Sequence, residues 1–144
     1  MKTIRLMFVI MLAVIAIGLK GTAQEQKGEV FFKVDTMPEY PGGNKALMKD
    51  ITDMVKYPEE ALKQGLTGRI YVSFEVNKEG KIYNTYIARG VDPLLDKEAL
   101  QVINRLNKTW KPGIKNGKTV NVSFTVLFDF KEDKKIDISL NLSH

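Results

Sequence analysis

The sequence contains no cysteine, and its single histidine is the last residue, His144. Catalytic dyads and triads that pair a nucleophile with histidine are therefore absent, as are metal sites built from histidine and cysteine. The stretch Gly65-Leu66-Thr67-Gly68 is no phosphate-binding loop, because it lacks the G-x-G-x-x-G spacing and precedes a strand pattern. Without disulfides, the chain must be held together by its hydrophobic core, and about 120 residues suffice for that.

The acidic side chains offer only a weak case for catalysis. A glycosidase needs two carboxyl groups held across a cleft. The acids here stand at predicted helix starts and caps, where capping and the helix dipole explain them; they include Asp35, Glu39, Glu59, Glu60, Asp92, Asp96 and Glu98. We therefore expect a protein that is not an enzyme and that uses no cofactor or metal.

The first 23 residues have the pattern of a secretory signal peptide. Lys2 and Arg5 precede an apolar run from Leu6 to Leu19, and the small residues Gly21-Thr22-Ala23 follow it. As a helix this run of 14 residues spans about 21 Å, against a hydrocarbon core of about 30 Å. Cleavage before Gln24 and export to the periplasm are the favoured interpretation, and an uncleaved inner-membrane anchor is the alternative.

The net charge of the exported part is small. The whole chain carries 22 basic and 17 acidic residues, and Lys2, Arg5 and Lys20 lie in the leader, which has no acid. The remaining 19 basic and 17 acidic residues leave a net charge of +2 on a mixed surface. We therefore expect no binding to nucleic acid.

Hydrophobic periodicity predicts an α+β fold, a two-layer sandwich in which helices pack on one face of a three- to four-stranded antiparallel sheet. Three helices are predicted: one after a cap at Asn44, one of about two turns from Pro58 to Gly65, and one after a cap at Asp92. Trp110 is favoured as a core residue. Strands are predicted at 30–34, 70–76, 82–87 and 120–130, and the third of them should carry a bulge near Tyr83 or Asn84. The tail at 136–142 is predicted to pair beside 120–130. The expected organisation is a leader (1–23), an N-terminal lead-in (24–43) and one domain (44–142).

One series of motifs resembles the C-terminal domain of the TonB family. It contains Tyr57-Pro58, Ala61, Gly65 with Gly68, and Gly80, and continues through a helix to Trp110-Lys111-Pro112-Gly113 and the strand VNVSFTVLF. The match covers residues 54–130, and MPEYPGGNKAL before it is similar to the lead-in of TonB-like proteins of the Bacteroidetes type.

The resemblance implies a partner and a binding edge. TonB-family proteins link an inner-membrane motor to outer-membrane receptors, and their C-terminal domain holds the N-terminal segment of a TonB-dependent receptor as an added strand. Carried over, the edge is Val120–Asp129, with Val120, Asn121, Val122, Ser123, Phe124, Thr125, Val126 and Leu127 as partner-binding residues, supported by Met54, Lys56 and Tyr57. Inner-membrane motor proteins and a homodimer formed through edge strands are further expected partners.

Two features leave a second function open. The five prolines all lie within or just before the domain, so no long proline-rich linker is recognisable, and the 15 residues from Lys20 to Val34 span at most about 50 Å. Glu60 also stands where a basic residue often contacts the receptor in the family. The alternative to energy-coupled transport is a soluble periplasmic protein–protein interaction domain that transmits no force.

The leader predicts a mature N-terminus at Gln24, because the apolar run is short and ends in small residues. Intact-mass measurement of the protein isolated from its native envelope should give the mass of 24–144. A full-length species that resists carbonate extraction would instead establish the membrane anchor.

Overall fold

The computed structural model describes residues 30–31 and 33–141, so the predicted leader and Leu142 lie outside the described residues. The helices are α1 (Gly43–Met54), α2 (Glu59–Lys63) and α3 (Pro93–Arg105). The strands are β1 (Val30–Phe31), β2 (Gly68–Val76), β3 (Ile82–Arg89), β4 (Gly113–Lys115), β5 (Lys118–Phe130) and β6 (Ile136–Asn141). None of the helices in this part of the chain is long and apolar enough to span a membrane.

The sheet is organised around β5. On one side, β5 pairs antiparallel with β2 from Val122 to Phe130, and β2 pairs antiparallel with β3. On the other side, β5 pairs with β1, which runs parallel to it, and with the antiparallel strand β6. β4 pairs antiparallel with Lys118–Val120, ahead of the stretch of β5 that pairs with β2. The predicted α+β class, with helices on one face of an antiparallel sheet, is confirmed. β1 is the start of the strand predicted at 30–34, whereas the short strand β4 was not predicted.

Alternation along the two central strands separates the core face from the outward face. Ile70, Val72, Phe74 and Val76 of β2 are fully buried, and they lie opposite Phe128, Val126, Phe124 and Val122 of β5. The apolar stripe of α3 covers this face, and all five of its predicted members are buried: Leu95, Ala99, Val102, Ile103 and Leu106. The predicted orientation of Phe74, Phe124 and Val126 toward the helices is therefore confirmed.

The three helices are capped in different ways. The carboxylate of Asp92 accepts a hydrogen bond from the backbone N–H of Leu94 at 2.9 Å, and Pro93 begins α3, as predicted. The predicted cap at Asn44 is wrong, because α1 begins at Gly43 and its N-cap is Gly42, which has φ 87° and no capping side chain. The helix α2 has five residues, fewer than the two turns expected, and Gly65 ends it with φ 64°.

The N-terminal lead-in packs on the domain. The backbone of Thr36 bridges to Ile114 and that of Glu39 to Lys111, next to the start of β4. The buried Tyr40 donates a hydrogen bond to Asp50 of α1 at 2.5 Å, and its ring meets Trp110 edge-on. Burial, followed by the bond to Asp50, raises the pKa of Tyr40. The lead-in residues 33–40 therefore help to enclose the core.

Lys108 completes a small polar network around this tyrosine. Its ammonium lies 2.6 Å from the carboxylate of Asp50 and 5.2 Å from the centre of the Tyr40 ring. The hydrogen bond from Lys108, followed by that from Tyr40, lowers the pKa of Asp50. The network therefore ties together the lead-in, α1 and the segment after α3.

The β2–β3 hairpin is bulged and closely packed at its turn. The register between the strands slips between Ser73 and Glu75, and Asn84 has φ 51°, so the predicted bulge is confirmed. At the turn, Gly80 has φ 77° and its carbonyl accepts a hydrogen bond from the N–H of Trp110 at 2.8 Å. Trp110 is buried, as predicted, although its indole N–H has no hydrogen-bond partner within the described part of the chain.

The orientation of β5 predicts the effect of truncating its side chains. Phe124→Ala should lower the free energy of unfolding by about 3–5 kcal/mol, because it empties a buried aromatic site. Thr125→Ala is the control on the outward face; it should cost about 1 kcal/mol, since the hydroxyl of Thr125 bonds that of Ser73 at 2.9 Å. Urea melts measure both values, and equal losses would contradict the observed orientation.

Gly80 and Gly117 form a matched pair, since both are left-handed with φ 77° and 74°. A Cβ on Gly80 would lie 1.9 Å from the Trp110 carbonyl oxygen, whereas a Cβ on Gly117 would meet nothing within 4 Å. Gly117→Ala should therefore cost about 1–2 kcal/mol from backbone strain alone, and Gly80→Ala about 1–3 kcal/mol more. Thermal melts of the two variants test this. Equal destabilisation would show that the backbone at Trp110 moves aside without a cost in stability.

Candidate partner-binding edge

The edge of β5 that faces away from β2 is covered by two segments of the same chain, β1 and β6. Asn121 and Val122 pair with β1, whereas Val120 pairs with Gly113 of β4. The stretch Thr125–Phe130 pairs with β6 over six consecutive positions. The predicted pairing of the tail beside the final strand is confirmed for Ile136–Asn141.

A short interval separates the two covering strands β1 and β6. β1 lies opposite Asn121 and Val122, and β6 ends opposite Thr125. Ser123 and Phe124 have no strand partner on this side within the residues that the structure describes. The strand-addition edge inferred from the resemblance is therefore occupied along most of its length.

Of the predicted supporting residues Met54, Lys56 and Tyr57, Tyr57 contacts the end of this strand. The ring of Tyr57 meets Phe130 edge-on with the ring centres 5.2 Å apart, and its hydroxyl donates a hydrogen bond to the Leu66 carbonyl. Burial raises the pKa of Tyr57. Met54 is half-buried beside the core, and the backbone N–H of Lys56 donates to the Glu98 carboxylate at 2.9 Å. Tyr57 and Lys56 thus join the segment between α1 and α2 to the end of β5 and to α3.

The short helix that follows Tyr57 braces the same end of the sheet. Ala61 is fully buried, and its carbonyl accepts a hydrogen bond from the N–H of Leu66, which turns the chain after Gly65. The chain then enters β2 at Gly68, which pairs with Phe130. The Tyr57–Gly68 segment thus fixes the point at which β2 and β5 meet.

A row of charged side chains on the outward face was not anticipated from the sequence. Arg69 of β2 and Asp137 of β6 lie on either side of Asp129 of β5. The guanidinium of Arg69 is 3.3 Å from the Asp129 carboxylate, whose side chain is only 20% exposed. Asp137 is paired with Lys131, and this contact raises the pKa of Lys131. Two directly opposed acids are thus each compensated by a cation.

The outward face also carries polar contacts between neighbouring strands. The side-chain oxygen of Asn121 accepts a hydrogen bond from the backbone N–H of Lys78 at 3.1 Å, which ties the β2–β3 turn to β5. Leu127 lies between Tyr71 and Ser139 in the cross-strand rows. No group of side chains suited to hold a metal ion occurs in the described ranges.

These features describe a small α+β domain whose central strand pairs with further strands along one edge. The family model for the Gram-negative bacterial TonB protein C-terminal domain matches residues 54–131, which is more than half of the chain. The chain therefore belongs to the TonB C-terminal family. A comparison with curated proteins gave no match.

The family supplies a general setting for this edge. Its members are non-catalytic interaction domains that lie in the periplasm and interact with outer-membrane receptors. The matched segment begins at Met54 and ends at Lys131, directly after β5. Both strands that cover the edge, β1 and β6, lie outside the matched segment.

Proposed function

We propose that this chain is a TonB-like, non-catalytic periplasmic module that engages an outer-membrane receptor by strand addition in energy-coupled transport. The observation that carries the proposal is the pairing along β5. Its side away from β2 already accepts one parallel strand, β1, and one antiparallel strand, β6. An edge that pairs in both directions provides the backbone donors and acceptors that an extended receptor segment needs.

The core explains how such an edge could carry a load. β5 is joined to β2 over nine consecutive register positions, and Phe124 and Phe74 stack on each other with their ring centres 5.6 Å apart. A strand added to β5 would therefore pull on the most extensively paired and most buried strand of the sheet. The bracing by Tyr57 against Phe130 supports the same strand at its end.

A second function has one observation in its favour. Because the lead-in packs on the domain and β1 begins at Val30, the ten residues 20–29 separate the apolar run of the leader from the folded part. They span at most about 35 Å when fully extended. A periplasmic interaction domain that binds another envelope protein without transmitting force is therefore the competing proposal.

Synthetic peptides that copy the N-terminal segments of outer-membrane receptors from the same organism test receptor engagement. We expect one or more to bind the full-length protein in calorimetry. The same peptide with a central proline should lose binding, because proline removes a backbone donor from the added strand. Equal binding of the proline peptide, or no binding by any receptor segment, would contradict strand addition.

Uptake measurements separate the two functions. In a strain that lacks this chain, uptake of the ligand of the bound receptor should fall to the level seen when the proton-motive force is collapsed. Complementation with the wild-type chain should restore uptake. If the receptor peptide binds but uptake is unchanged in the deletion strain, the interaction domain without energy transduction is the correct assignment.

A further inference from the structure

The two neighbours of β5 differ greatly in how firmly they are held. β2 lies between β5 and β3 and contributes four fully buried side chains to the core. β6 pairs with β5 alone, and its inward side chains Ile136, Ile138 and Leu140 are only half-buried. Since β6 forms the outer boundary of the sheet, its separation from β5 breaks none of the β2–β5 pairing.

The connection to β6 also permits this separation. Residues 131–135 form an exposed turn closed by the backbone bond from the Lys131 N–H to the Lys135 carbonyl at 2.9 Å. Lys134 adopts φ 65°, a left-handed conformation that costs a non-glycine residue about 1–2 kcal/mol. The hairpin formed by β5 and β6 is therefore less stable than it would be with glycine at position 134.

The side chains of β6 describe what the edge accepts. Ile136, Ile138 and Leu140 lie opposite Phe130, Phe128 and Val126, and they pack against the core. The alternate residues Asp137, Ser139 and Asn141 are exposed on the outward face. An occupant of this edge is therefore a six-residue extended segment with apolar residues at every second position.

Charge defines one outward position of the occupant. If β6 leaves, Arg69 and Lys131 remain near a single acid, Asp129, while Asp133 is engaged with Lys135. An acidic residue in the place of Asp137 restores the balance of two cations and two anions, whereas a basic residue adds a third cation. The edge therefore favours an occupant with an acidic residue beside Lys131.

The opposite edge of the sheet is less suited to strand addition. β3 is interrupted by register shifts against β2 on both sides of Tyr86, and Asn84 is held at positive φ with its amide donating to Glu75 at 3.0 Å. Bulges of this kind twist an edge away from a regular partner. β1 limits the other edge to Ser123–Phe130, and β6 covers the Thr125–Phe130 part of it.

We propose that β6 occupies, within the chain itself, the position that the strand of a partner takes. The stretch Thr125–Phe130 takes an extended segment of a partner with alternating apolar residues and an acidic residue that meets Lys131, and it does so only when β6 has left. This inference rests on the proposed function and specifies both the chemistry of the partner segment and the condition for its binding.

A reversible cross-link between β5 and β6 tests the condition. Leu127 and Ser139 are directly opposite each other, and the chain has no native cysteine, so the double variant Leu127→Cys/Ser139→Cys can form only one disulfide within the chain. Opposed residues of antiparallel strands have Cα atoms about 4.5–5.5 Å apart, within the range of a disulfide. The oxidised protein holds β6 in place, and the reduced form of the same protein is its control.

The probe is a synthetic peptide with the sequence of residues 134–144, titrated by NMR against the labelled full-length chain. The intact β6 competes at an effective concentration in the millimolar range, so wild-type protein should bind the peptide weakly. Ile138→Ser in the protein should tighten binding about tenfold, because it removes the central apolar contact of the competing strand. Ser139→Ala, on the exposed side of β6, is the matched control and should leave binding at the wild-type level.

Four results support the inference together: no binding to the oxidised double variant, recovery on reduction, tighter binding to Ile138→Ser, and shifts concentrated at Thr125–Phe130. A peptide with Asp137→Lys should bind roughly twofold to fivefold more weakly, and a scrambled peptide of equal composition should not bind. If Ile138→Ser does not fold, as judged by circular dichroism, Leu140→Ser takes its place. Equal binding to oxidised and reduced protein, or no gain from either serine variant, would overturn the inference.

The receptor peptides distinguish this inference from the function on which it rests. If a receptor segment binds the oxidised and reduced double variants equally well, the receptor function stands and the role of β6 is wrong. If the 134–144 peptide shows the expected pattern while no receptor segment binds, the role of β6 stands and the receptor assignment is wrong.

Discussion

Backbone pairing along β5 is the interaction on which the rest of the structure depends. β2, β4, β1 and β6 all pair with this strand, and its inward side chains form the floor on which the helices pack. β5 pairs on both sides over most of its 13 residues. Such a strand cannot shift its register by one residue without moving every core side chain to the outward face.

This constraint also explains why both ends of the described part of the chain are built into the sheet. The matched family segment stops at Lys131, and without further residues one side of β5 would be left as an uncovered apolar edge. The chain closes that side with β6 from the C-terminal direction and with β1 from the N-terminal direction. The same backbone groups thus serve to protect the isolated domain and, in the proposed function, to recognise a partner.

Local periodicity was sufficient to predict the strands, in which apolar residues recur at every second position, and the helices, in which they recur at every third or fourth position. The alternation along Val120–Phe130 and Ile136–Leu142, the stripe of α3 and the cap at Asp92 are all visible in the sequence. The bridges of Thr36 and Glu39 leave no such trace, because each is a single contact with a distant segment. The wrong cap at Asn44 has a similar cause, since a left-handed Gly42 already ends the preceding turn and leaves Asn44 inside the helix.

The candidate site was predictable as an edge but not as a set of contacts. Nothing in the sequence shows that Asp137 lies opposite Asp129, because this depends on a register fixed by the length of the 131–135 turn. The role of Tyr57 at the end of β5 likewise required the position of Phe130 in space. Sequence patterns identify which faces are apolar, whereas cross-strand neighbours follow from the assembled sheet.

The convergence of both ends of the described chain on one strand has a practical consequence for handling the protein. Val30 lies beside Asn121, and Asn141 lies beside Thr125, so the two ends emerge within a few residues of each other along β5. An affinity tag, a fluorescent fusion or a surface tether joined directly before Val30 or after Asn141 would crowd the same edge. Attachment at an exposed position on α3, such as Lys97, keeps that edge clear for binding measurements.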